Sequence, residues 1–119
     1  MEEKQVFDEE AFYGNVYRSY FLQGNNLKKL FDGICKNFLE NNQSNYHDAF
    51  IHSEQKNFNE GELRVKIEYN NLDGRIDIDV MSFIGGRLLS DKERNLVRFV
   101  ERITEENKFK LIKKDKNQF

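Results

Sequence analysis

Two apolar alternations separated by a short polar turn dominate the hydrophobic pattern of this chain. Between Glu62 and Phe83, Leu63, Val65, Ile67 and Tyr69 alternate with Arg64, Lys66 and Glu68, then Ile76, Ile78 and Val80 alternate with Asp77 and Asp79. A period of two puts each apolar set on one face, so the stretch predicts a half-buried antiparallel hairpin. Its register follows from keeping the apolar sets together, because a one-residue slip turns every side chain over. A loop from Asn71 to Gly74 pairs Asn70 with Arg75 and sets Tyr69 against Ile76, Ile67 against Ile78 and Val65 against Val80. The other face then sets Lys66 against Asp79, an opposite-charge pair worth roughly 0.2–1 kcal/mol. A loop one residue shorter would put Ile67 opposite Asp79.

Helical spacing governs the flanking segments. A helix is predicted to start at Asp8, with Phe7 and Phe12 as a hydrophobic staple and Glu9 and Glu10 in its first turn. Phe12, Val16 and Tyr20 form one row of it with Tyr13 and Tyr17 alongside, and Gln23-Gly24-Asn25-Asn26 ends it. A second helix runs from Leu27 to Glu40, with Leu27, Leu30, Phe31, Ile34, Cys35, Phe38 and Leu39 on one face. Asn41 to Asn45 reads as a polar loop, Ala49-Phe50-Ile51 as the seed of a short edge strand, and Glu54 to Gly61 as loop. Ser90 and Glu93 form a capping box that opens a third helix ending near Asn107. Lys108–Lys113 then alternates Phe109 and Leu111 with lysines, as a final strand would.

The fold this predicts is α+β in a single domain, 1–119. A small, mainly antiparallel sheet, the central hairpin 62–83 plus the C-terminal strand, packs against two N-terminal helices and one C-terminal helix. Residues 1–5 form a frayed acidic start and 114–119 a basic tail. The overall charge of −2 selects no partner, but its distribution is uneven. Residues 1–10 hold five acids against Lys4, and 108–119 hold five lysines against Asp115. Cys35 is the single cysteine, which excludes an intrachain disulfide and a cysteine metal cluster. The chain begins without the basic and apolar regions of a secretory leader and has no apolar run of membrane-spanning length. A cytoplasmic protein with no membrane partner is expected.

Candidate chemistry is sparse. Asp77 and Asp79 share one strand face and could serve a metal-dependent hydrolase, though cross-strand pairing with Lys66 and Arg64 accounts for them more simply. His47 and His52 are spaced for no joint metal site. Gly85 and Gly86 with Arg87 precede a helix start, where backbone amides can hold an anion, but no phosphate-loop motif accompanies them. No cofactor, metal or catalytic residue is assigned. Arg94, Arg98 and Arg102 form a helical stripe, followed by Lys108, Lys110, Lys113 and Lys114, a candidate nucleic-acid surface. Tyr13, Tyr17 and Phe21 extend the first helix's aromatic stripe beyond one packed face, a candidate protein interface. The expected function is a small non-enzymatic regulatory or inhibitory protein that binds another protein or itself, with nucleic-acid binding as the alternative.

Overall fold

The computed structural model describes residues 17–41, 43–49, 52–82 and 89–114. In chain order the elements are β1 (Tyr17–Gln23), α1 (Lys28–Asn41), β2 (Gln43–Ala49), β3 (Ser53–Glu60), β4 (Leu63–Asn70), β5 (Arg75–Ser82), α2 (Asp91–Glu106) and β6 (Lys110–Lys114). The six strands form one sheet in the order β2-β3-β4-β5-β1-β6, and every neighbouring pair is antiparallel. The architecture is α+β, with two helices among the described residues where three are predicted.

The central hairpin has the predicted register, Asn70 to Arg75, Tyr69 to Ile76, Ile67 to Ile78, Val65 to Val80 and Lys66 to Asp79. Gly74 closes its turn at φ 64°, and an added Cβ would meet the Gly24 carbonyl oxygen at 2.6 Å. Only glycine satisfies both demands. The Gly24 amide donates to the Gly74 carbonyl at 2.9 Å, tying the end of β1 to the hairpin tip.

Both helices cover one face of the sheet. Phe38 of α1 packs against Phe58 of β3 and, in a T-shaped pair, against Phe99 of α2, at centroid separations of 5.0 and 4.9 Å. Phe31 stacks on Tyr69 at 5.5 Å. Val65, Ile67, Ile76, Ile78 and Val80 lie beneath them in the same buried cluster as Leu96, Val97 and Val100. α1 follows the predicted span, but Leu39 is 47% exposed, so its buried stripe stops at Phe31, Ile34, Cys35 and Phe38. The opposite face carries the charged residues of β4 and β5.

The first predicted helix is overturned where the structure describes it, because Tyr17–Gln23 is a strand. Residues four apart share a face in a strand as well as in a helix, so the Val16–Tyr20 and Tyr17–Phe21 spacings fit both. Aromatic-rich YRSYFLQ suits a pleated surface, and pairing with β5 along its whole length decides the matter. Asp8, the staple, Tyr13 and the Gly85-Gly86-Arg87 anion candidate all lie outside the described residues.

The loops predicted at 41–45 and 54–61 are likewise mostly strand. β2 and β3 pair from Gln43 with Asn59 to Ala49 with Glu54, with one register shift. β3 pairs with β4 at all eight of its positions. SEQKNFNE has no apolar alternation, and its ladder with β4 makes it a strand. β6 is also a strand, but it pairs with β1, which separates it from the hairpin.

Candidate functional site

α2 is fixed at both ends, and this places two grooves along its flanks. At its start the Ser90 hydroxyl accepts from the Glu93 amide at 3.2 Å, while the Ser90 amide donates to Glu93 Oε1 at 2.7 Å. Glu93 is 2% exposed, and its Oε2 accepts from the Glu62 amide at 2.7 Å. The predicted capping box therefore also anchors α2 to the β3–β4 turn. Gly61 allows this: it has φ 60°, and a Cβ there would stand 2.3 Å from the Glu93 carboxylate.

At the other end the Asn107 side-chain amide donates to the Ile103 carbonyl at 2.9 Å, and the Phe109 amide donates to the Thr104 carbonyl at 2.8 Å. Lys108, at φ 61°, reverses the chain into β6. Over β1, Arg18 is 3% exposed on the helix-facing side and donates to Glu101, which neutralises its buried guanidinium.

The flank of α2 toward β1 and β6 borders a groove of about 370 Å³ lined by Tyr20, Glu101, Thr104, Glu105, Phe109 and Leu111. Its floor is aromatic and aliphatic, and two carboxylates form its wall. Burial pushes the Tyr20 hydroxyl above its ordinary pKa, so it stays a neutral phenol at the groove floor. Beside the groove, β6 is a terminal strand of the sheet among the described residues. A register shift against β1 pairs Ser19 with Lys113 and Tyr20 with Leu111. Ile112 falls at that irregularity, and Leu111 and Ile112 are 52% and 50% exposed.

The flank toward β3 is different. Glu60, Lys92, Asn95, Leu96, Arg98, Phe99 and Arg102 line a groove of about 540 Å³. The Arg102 guanidinium lies 5.0 Å from the centre of the Phe99 ring.

Of the predicted arginine stripe, the structure brings Arg98 and Arg102 together in this groove and leaves Arg94 outside it. Arg94 donates to Asp91 and, at 3.0 Å, to the Leu89 carbonyl, so it braces the start of α2. Lys108 sits in the turn after α2, and Lys110, Lys113 and Lys114 belong to β6, so the lysines and the arginine pair occupy separate elements.

Tyr17 and Phe21 share the outer sheet face of β1. There the Arg75 guanidinium covers the Phe21 ring at 4.4 Å, while Tyr17 pairs with Met81. Asp77 accepts from Arg75 Nε at 3.0 and 3.2 Å. Asp79 accepts from the Ser19 hydroxyl at 2.6 Å and lies 3.9 Å from Lys66 Nζ. Both carboxylates thus serve the sheet's own polar ladder. Among the described residues no three His, Cys, Asp or Glu side chains are grouped to hold a metal. Cys35 is buried, and burial pushes its thiol up to about 12.

The β6 groove was missed in the sequence. Phe109 and Leu111 do alternate there, but their partner Tyr20 reads as helical until β1 is known to pair with β6. No helix among the described residues is long and apolar enough to cross a membrane. Comparison with known protein families, curated proteins and solved structures finds no match to this chain, so only its own geometry bears on function.

Proposed function

We propose that the protein is a small, non-enzymatic binding protein that takes up an extended segment of a protein partner as an added strand on β6. The observation that carries this is the juxtaposition of a terminal strand, its half-exposed Leu111 and Ile112, and the groove beside it. Strand addition draws affinity from main-chain hydrogen bonds and specificity from pockets for alternate side chains, and β6 with its groove offers both. An exposed apolar edge otherwise invites aggregation, and the lysine-rich sequence of β6, KLIKK, disfavours self-pairing. Two copies of β6 would bring lysines close to lysines, which is unfavourable. A partner segment with an apolar anchor for the Tyr20–Phe109–Leu111 floor, flanked by acids for the edge lysines, complements the site.

The test is selection from a library of displayed extended peptides, followed by amide hydrogen exchange of the protein with a selected ligand. Acid-flanked apolar ligands should emerge and slow exchange in residues 110–114. Leu111→Asn should weaken them roughly tenfold, about 1.4 kcal/mol, while the circular dichroism spectrum is unchanged. Selected ligands that protect a different surface, or that ignore Leu111→Asn, would refute strand addition at β6.

A further inference from the structure

We propose that the groove on the β3 side of α2 binds single-stranded nucleic acid along its phosphate backbone, independently of the β6 edge. Lys92, Arg98 and Arg102 line this groove of about 540 Å³ together with the single carboxylate of Glu60. Among the described residues neither Lys92 nor Arg102 has an ion-pair partner. The eleven positions from Lys92 to Arg102 span about 15 Å of helix axis, long enough to follow several phosphates.

Phe99 adds the second ingredient of a single-strand site, an aromatic face, with the Arg102 guanidinium over it. Non-specific single-strand binders combine a cationic channel with such stacking surfaces, because every base has a π-face. A duplex fits less well. The outer ridge of α2 carries Asp91, Glu105 and Glu106 as well as its cations, and those carboxylates would face the phosphates of a helix laid across it.

Fluorescence anisotropy of labelled oligothymidylate and oligouridylate of about twelve nucleotides, a length within the usual site sizes, tests the assignment. Phosphate contacts from Lys92 and Arg102 at a slope of about 0.7 each predict a roughly sevenfold loss of affinity between about 50 and 200 mM salt. Arg102→Gln should weaken binding and flatten that loss to roughly two- to threefold, as removal of one contact requires. The Lys110→Gln/Lys113→Gln pair should leave both affinity and slope unchanged, with folding of each variant verified by circular dichroism. The proposal is overturned by no binding at the lower salt or by a flat salt response. It is equally overturned by competition from polyglutamate as strong as from oligonucleotide, or by binding that tracks the β6 lysines and ignores Arg102.

Discussion

Strands β3 and β4 have eight residues each and pair along their full length, yet they owe their conformation to different causes. β4 buries Leu63, Val65 and Ile67 by its own alternation. β3 has one buried apolar side chain, Phe58, and its remaining helix-facing positions are Glu54, Lys56 and Glu60. Glu54 is held by Lys28 of α1, and Lys56 lies with Cys35 along a shallow groove under the same helix. A strand with apolar alternation carries its own register. A polar strand borrows register from its neighbour and needs an anchor to keep it under the helices.

Removing that anchor should have the largest effect. Phe58 is fully buried against Phe38, so Phe58→Ala should cost about 3–5 kcal/mol in urea unfolding. Amide exchange in residues 53–60 should speed up more than in 63–70. If both strands loosen equally, β3 has more support of its own than Phe58 provides.

Next in size is the turn of the self-sufficient hairpin. Gly74→Ala forces a left-handed alanine against the Gly24 carbonyl and should cost about 2 kcal/mol by thermal or urea unfolding. A neutral result would mean the turn can rearrange without disturbing the β4–β5 register.

Cys35, beneath the polar half of the sheet, gives a pH-dependent contrast. Its thiol has an ordinary value of 9.0 and is raised to about 12 in the fold, chiefly by burial. Below pH 9 both states keep the proton and nothing is lost. Between about 9 and 12 the unfolded chain ionises and the folded one does not, so stability falls by on the order of 1 kcal/mol by pH 10. Tyr20, also raised by burial, deepens the loss above its ordinary value of 10.0. Cys35→Ala should remove the early part of this alkaline decline in unfolding measured across pH 8–10, and an unchanged profile would contradict the thiol's burial. The smallest effect belongs to the partly exposed Lys66–Asp79 pair at 3.9 Å, where Lys66→Gln should change stability by less than about 0.5 kcal/mol.

What the sequence made legible tracks the same distinction. The β4–β5 register, the inner face of α1 and the Ser90–Glu93 cap each follow from local periodicity or a short-range hydrogen bond. β3 had no pattern to read. In β1 the spacing of Tyr17 and Phe21 suits either period, and only partners far along the chain decide between them. The β6 groove depends on that same decision, because Tyr20 belongs to its floor only when β1 lies beside β6. Of the arginine stripe, Arg98 and Arg102 meet in one groove, while Arg94 was not separable from them by spacing alone.

The place of β1 also sets an order of events during synthesis. It is the first described strand, yet its two neighbours are built from residues 75–82 and 110–114. One of its edges therefore stays open until residues 75–82 have been made and the other until 110–114, while β2 to β5 can assemble as a meander of near neighbours. Closing β1 between β5 and β6 joins distant parts of the chain, the kind of contact that slows folding. A nascent chain halted before residue 110 would carry an aromatic strand with one side unclaimed, and that is the point at which this protein is most exposed to misassembly.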